Sequence, residues 1–197
     1  MPKAYFIQYK FIIPKSIKHS SYTYQKLFRA IYGYTQTVCK SSGKIYRYQR
    51  KGILSNYPYL RPGKNCVIIP TNALQDLKNF FLTGKNPTHY WHVKGDWKAT
   101  YYMDEKDVSE EEAIKAVEEL LDRTFIISSE KEPRKLSDEI ALISQQSRNG
   151  TNPEENYKKA LLADAQALTS TAWFKECSQK SGKLSEFVKE LSSLGRI

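Results

Sequence analysis

The sequence predicts an α+β chain: strands and helices over residues 1–128, followed by an all-helical region over 135–197. Three observations predict it. Apolar spacing in the first part switches between periods of two and about 3.6. Strand and helix signals are interleaved there rather than grouped. After residue 128 strand signals stop, the polar stretch from Ser128 to Arg134 with its Pro133 reads as a linker, and only helical spacing follows.

Residues 4–13 alternate. Tyr5, Ile7, Tyr9, Phe11 and Ile13 share one face and Phe6, Gln8, Lys10 and Ile12 the other, which predicts a strand ended by Pro14. Residues 21–37 predict a helix, with Tyr24, Leu27, Phe28 and Ile31 on one side and Lys26 and Arg29 opposite. Gly33 ends or kinks it and lets a second backbone approach closely. Ser41-Ser42-Gly43 is a turn, residues 44–50 have strand character, and 51–64 form a long loop punctuated by Gly52, Pro58, Pro62 and Gly63. Residues 65–69 predict a short buried strand. Thr71 suits the N-cap of a helix through Leu82. Residues 88–94 and 97–102 predict a hairpin around Gly95-Asp96. Ser109-Glu110-Glu111-Glu112 has the capping-box form and opens a helix through Arg123. Phe125-Ile126-Ile127 adds a strand. The order strand–helix–strand–strand–helix–strand fits a split βαβ, ferredoxin-like sandwich with helices on one sheet face.

In the later region residues 136–147 predict a helix. Asn152 caps another, with Pro153 at its first position and Glu154 and Glu155 complementing its dipole. Leu161, Leu162, Ala165 and Leu168 give that helix an apolar stripe. Trp173-Phe174 and the run Leu184, Phe187, Val188, Leu191 predict two further short helices. This stripe and Trp173-Phe174 either pack internally or dock on a protein partner through the 152–194 helices.

Charge divides the chain. Residues 1–75 hold thirteen lysines and arginines and no acid. Residues 1–102 hold 17 basic and 2 acidic side chains, whereas 103–197 hold 14 and 19. Thirteen of the fourteen tyrosines also precede residue 103. Cations mixed with flat, hydrogen-bonding rings suit a polyanion with stackable bases. The longest apolar runs fall far short of the ~20 residues a membrane span needs. Cys39, Cys66 and Cys177 are odd in number and widely spaced, which predicts free thiols and a cytoplasmic location.

The candidate nucleic-acid-binding residues are Lys26 and Arg29 on the first helix, and a dense set in 44–64: Lys44, Tyr46, Arg47, Tyr48, Arg50, Lys51, Tyr57, Tyr59, Arg61 and Lys64. In a strand, Lys44, Tyr46, Tyr48 and Arg50 project to one side. Rings flanked by cations hold single strands by stacking bases and meeting phosphates. The competing structural reading buries Tyr46 and Tyr48 and lets Lys44 and Arg50 snorkel at the core's rim.

Tyr32-Gly33-Tyr34, the run Tyr46-Arg47-Tyr48-Gln49-Arg50-Lys51-Gly52-Ile53-Leu54, Pro58-Tyr59 and Val67-Ile68-Ile69-Pro70 together resemble small uncharacterised archaeal proteins of one ferredoxin-like domain. The resemblance covers roughly residues 4–94. It implies a compact α+β domain in the cytoplasm and carries over no catalytic residue.

Enzyme signals are poor. His89-Tyr90-Trp91-His92 separates its histidines by two residues, so on a strand they face opposite sides and do not share a metal. Asp104, Glu105, Asp107 and Glu110 to Glu112 read as a solvated helix N-terminus and its approach. There is no Walker loop, no nucleophile elbow and no zinc-ligand spacing. The expectation is a non-catalytic nucleic-acid-binding protein without cofactor. It would serve in a ribonucleoprotein or DNA-processing complex, with RNA favoured over DNA because unpaired bases are commoner there. The rivals are a metal-dependent nuclease with carboxylates from 96–112, and a structural subunit of a protein assembly.

Overall fold

The computed structural model describes residues 2–85, 93, 95–126, 133–150 and 153–195. The chain is α+β with antiparallel sheets, and it divides into two compact units, Lys3–Val108 and Ser109–Ile197. The boundary lies between Val108 and Ser109, not at residue 128. The helix that follows Ser109 therefore groups with the later helices.

The first unit is built on a four-stranded sheet. Strand β1 (Lys3–Ile12) runs into helix α1 (Tyr22–Tyr32). Strands β2 (Tyr34–Cys39) and β3 (Ile45–Arg50) form a separate hairpin. A 3-10 turn at Ile53–Asn56 precedes β4 (Leu60–Gly63) and β5 (Cys66–Pro70). Helix α2 (Leu74–Thr83) and the long strand β6 (Lys98–Asp107) complete the unit. Across the main sheet the order is β4-β5-β1-β6. Strand β1 pairs antiparallel with β5 from Ala4 opposite Pro70 to Gln8 opposite Cys66, and with β6 from Lys3 opposite Asp107 to Ile12 opposite Lys98.

The period-two pattern of β1 places its faces as the sequence indicates. Ile7, Tyr9 and Phe11 join Val67 and Ile69 of β5 in a core with Leu27, Ala30 and Ile31 of α1 and Leu77, Phe80 and Phe81 of α2. Tyr5 and Ile13, on the same face, are partly buried against this core. Gln8, Lys10 and Ile12 point the other way and are exposed. A core of this composition drives folding through apolar burial, at about 25 cal/mol per Å².

Four sequence expectations are corrected here. Helix α1 stops at Tyr32, and residues 34–39 are a strand. Gly33 lies at φ 75°, a left-handed backbone that ends the helix, and the run Tyr34, Thr35, Thr37, Val38 favours a pleated strand. Strand 45–50 exists but pairs with 34–39, so it is not in the main sheet. The edge of the main sheet beside β5 is instead formed by Leu60–Gly63, within the stretch that reads as a loop. Pro62 has no N–H for a ladder and is tolerated there because an edge strand has one free side. Third, Thr71 opens a 3-10 turn at Thr71–Ala73, and Ala73 precedes α2. Fourth, residues 98–107 pair with β1 along its whole length. The supposed partner strand 88–94 lies outside the described residues except for Val93, which is buried in the core. His89 to His92 also lie outside them.

The second unit holds helices α3 (Glu110–Asp122), α4 (Leu136–Arg148), α5 (Glu155–Thr169), α6 (Ala172–Cys177) and α7 (Gly182–Leu194). The capping box forms as the sequence indicates: Ser109 Oγ accepts from the Glu112 N–H and the Glu112 carboxylate from the Ser109 N–H. Phe125–Ile126 pairs with Arg134–Lys135 in a two-stranded ribbon, not with the main sheet. Asn152 lies outside the described residues, and Glu154 occupies the N-cap position of α5. Leu161, Leu168, Trp173 and Phe174, weighed as a docking surface, are buried. Glu139, itself buried, accepts from Tyr157 Oη at 2.8 Å and pairs with Arg134 at 3.3 Å.

Candidate nucleic-acid interface

The β2–β3 hairpin stands on close backbone packing at its base. A Cβ on Gly33 would lie 2.5 Å from the Arg50 carbonyl oxygen, and one on Gly52 would lie 2.7 Å from the Ile31 carbonyl carbon. Real Cβ atoms do not come so close, so both positions admit only glycine without a shift. The Gly52 N–H donates to Ser55 Oγ at 2.8 Å, which holds the chain where it leaves the hairpin. The close approach inferred from Gly33 is thus the joint between α1 and the hairpin.

The hairpin register sorts its side chains. Tyr34 lies opposite Arg50, Gln36 opposite Tyr48, and Val38 opposite Tyr46, and these six share one face. Thr35, Thr37, Cys39, Ile45, Arg47 and Gln49 share the other. No residue of either strand is fully buried, so Tyr46 and Tyr48 are not core residues. Tyr48 is 37% exposed.

Cations and rings alternate along the first face and onto α1. Lys40 Nζ sits 4.8 Å from the Tyr46 ring centre. The Tyr46 and Tyr48 rings are nearly parallel, 6.5 Å apart at 13°. The Arg50 guanidinium lies 5.3 Å over Tyr48, and Gln36 Oε1 orients it by accepting from Nε at 3.0 Å. Across from Arg50 stands Tyr34, with Arg29 4.8 Å over its ring. Arg29 also lies 5.2 Å from the Tyr22 ring, which Lys26 approaches to 4.9 Å. Tyr22 is 57% exposed. Each exposed cation–π contact is worth only about 0.5–1 kcal/mol. The internal partners are therefore weak enough to be exchanged for phosphates and bases. No acidic residue occurs between Met1 and Gln75, so none of the side chains that make this face is an acid.

The remaining candidates fall elsewhere. Lys44 is in the hairpin turn and Lys51 just past β3, both exposed, and Arg47 projects from the opposite hairpin face. Tyr57 and Tyr59 are part-buried against the sheet core rather than displayed. Tyr57 Oη donates to Asp76 Oδ2 at 2.7 Å, and burial together with that carboxylate pushes its pKa up to about 12. Tyr59 lies 5.4 Å from Tyr32, over which Arg61 sits at 4.2 Å. Tyr32 in turn shares a 2.9 Å hydrogen bond with Tyr9, and burial raises both phenols above their ordinary pKa. Lys64 is exposed in the β4–β5 turn.

The sequence points to neither Tyr22 nor Lys40, and it favours a packing role beside Gly33 over a ligand contact for Tyr34. The alternation Tyr34, Gln36, Val38 was the available signal, hidden by reading 34–37 as the end of a helix. Among the described residues, no three His, Cys, Asp or Glu side chains converge to hold a metal ion. None of the described helices is long and apolar enough to cross a membrane. Comparison with protein-family models, with curated proteins and with solved structures finds no match.

Proposed function

We propose that the Lys3–Val108 unit is a ferredoxin-like domain that binds single-stranded nucleic acid, RNA in preference to DNA, along the cation–tyrosine face of its β2–β3 hairpin, without catalysis. Two features support the fold reading. Leaving out the hairpin, the strands and helices come as β1, α1, β4, β5, α2, β6, and the first and third of these strands are neighbours in the antiparallel sheet. This order and pairing support a split βαβ plan, with the hairpin inserted after α1. The functional reading is carried by one observation, the alternation Lys26–Tyr22–Arg29–Tyr34–Arg50–Tyr48–Tyr46–Lys40, drawn from a stretch of chain that contains no acid. Phosphates meet the cations, bases stack on the rings, and neither contact demands a particular base. Preference for RNA follows from its greater supply of unpaired bases.

The test is titration of the full chain with a mixed-sequence single strand at several salt concentrations. Four ladder cations, each meeting a phosphate, give a log–log salt slope of about 3 in magnitude. Binding persists in EDTA, and no cleavage appears with magnesium or manganese. Absence of salt-sensitive binding overturns the proposal. Metal-dependent cutting lost in Asp96→Ala replaces it with the nuclease reading.

A further inference from the structure

Strand β6 lies at one edge of the main sheet, and among the described residues nothing pairs with its outer side. It meets β1 from Lys98 to Asp107 with no break in register. Every residue from Thr100 to Asp107 is exposed. The Tyr9 N–H donates to the Asn65 carbonyl oxygen at 2.9 Å, so the polar backbone groups of Tyr9 point toward the β5 side, away from β6. In an antiparallel ladder the N–H and C=O of one residue point the same way, and the direction alternates along the strand. Gln8 and Lys10 therefore bond to their partners Tyr102 and Thr100, while Ala99, Tyr101, Met103 and Glu105 aim their N–H and C=O groups outward.

Native edges are blunted by a bulge, a proline or a charge within the strand. Strand β6 carries charge only toward its ends, at Lys98 and from Asp104 to Asp107. Between them Tyr101, Tyr102 and Met103 are 40%, 60% and 37% exposed. A bare middle of this kind takes another strand, and charge selects which one. A second copy of β6, running antiparallel, must set outward-pointing residues against outward-pointing residues. The allowed symmetric registers are therefore each centred on one residue. Centring on Tyr102 sets Lys98 against Lys106, and centring on Asp104 sets that residue against itself. Centring on Met103 brings no opposite charges together. Centring on Tyr101 sets Lys98 against Asp104 twice by symmetry, with Ala99 against Met103, Thr100 against Tyr102 and Tyr101 against itself. Each chain has a net charge of +10, but salt screens that repulsion beyond about 8 Å. Side chains directly opposed on paired strands lie about 5 Å apart, inside that distance.

We propose that the outer edge of β6 pairs with β6 of a second copy of the chain, antiparallel and centred on Tyr101, joining two four-stranded sheets into one. The pairing goes beyond the nucleic-acid reading and does not depend on it.

Sedimentation velocity of the full chain, free of nucleic acid and over a range of concentrations, tests it. The wild type should move from the 22.8 kDa of one chain toward twice that mass as concentration rises. On β1, Lys98 and Asp104 stand opposite the uncharged Ile12 and Phe6, so reversing either charge creates no clash within one chain's ladder. Lys98→Asp alone, or Asp104→Lys alone, sets like charges together at two places and should weaken association about tenfold. An equimolar mixture of these two variants restores both opposite-charge pairs across one heterodimer and should associate as tightly as the wild type. Met103→Pro gives a check that does not involve charge. It removes an outward N–H at an edge where proline is tolerated, and it should also weaken association about tenfold. A wild type that stays monomeric at every concentration overturns the proposal. So does a mixture that associates no better than its components, or a Met103→Pro chain that dimerises as before.

Discussion

Tyr48 and Arg50 stand two residues apart on one strand, yet they do different work in the proposed interface. Arg50 meets a phosphate and displaces a counterion, so Arg50→Ala should reduce the salt slope by about 0.7 on a single strand. Tyr48 stacks on a base and displaces none. Tyr48→Ala should therefore cost about 1–3 kcal/mol of binding while the slope stays nearly the same. Neither side chain is buried, so both variants should melt close to the wild type. Equal changes of slope for the two variants would contradict this division. Large unfolding by Tyr48→Ala would return the ring to a structural role. Arg61 gives a contrast within the same set of candidates. Its guanidinium covers the half-buried Tyr32, so its removal exposes a ring of the core as well as deleting a charge.

The hairpin is the element on which the proposed binding depends, and a two-stranded ribbon is only marginally stable by itself. Its attachment to α1 through the Gly33–Gly52 contact supplies what the ribbon lacks. Gly52→Ala would drive a methyl group into the Ile31 carbonyl carbon, 2.7 Å from the new Cβ. Backbone cannot give way as a flexible side chain can, so the expected loss is about 1–3 kcal/mol in urea unfolding, with weaker strand binding as the hairpin is displaced. Gly63→Ala is the control. A Cβ there meets nothing within 4 Å, and the change should stay within about 0.5 kcal/mol. Equal effects for the two would show that the joint tolerates a side chain.

Across the whole molecule the two units differ in charge and in titration behaviour. Lys3–Val108 carries 18 basic and 5 acidic side chains, and Ser109–Ile197 carries 13 and 16. The first unit also holds three phenols whose neutral form is favoured by the fold, Tyr9, Tyr32 and Tyr57, with burial the largest cause in each. An acid whose folded pKa is raised contributes stability that is complete below its unfolded value, about 10 for tyrosine. That contribution is lost as pH rises through the folded value. Stability should thus fall from about pH 10 upward, and Tyr57→Phe should make the fall shallower over the interval up to about 12. Urea unfolding at a series of alkaline pH values, with tyrosinate absorbance as the probe, checks both. A flat profile would mean that these phenols ionise as readily in the fold as out of it.

Sequence by itself determined what local chemistry controls. The alternation of Tyr5, Ile7, Tyr9 and Phe11 specifies a half-buried strand, because neighbouring side chains must leave a strand on opposite faces. Ser109 and Glu112 specify a helix start, because each satisfies the other's backbone donor without help from the rest of the chain. The clustering of cations and tyrosines before residue 103 was equally plain. Tertiary structure alone decided which strands pair. Residues 45–50 could have joined the main sheet or found a partner nearby, and strand propensity is the same in both cases. Pairing with 34–39 required Gly33 to break α1 and Gly52 to let the returning chain pass against it, a contact between positions nineteen residues apart. That choice turned Tyr46 and Tyr48 outward and aligned them with Arg29 and Tyr34 on one surface. It left Leu60–Gly63 to close the sheet. Tyr57 and Tyr59, equally tyrosine and equally near the cations, were drawn toward the core, because Asp76 and Tyr32 stand where their side chains reach.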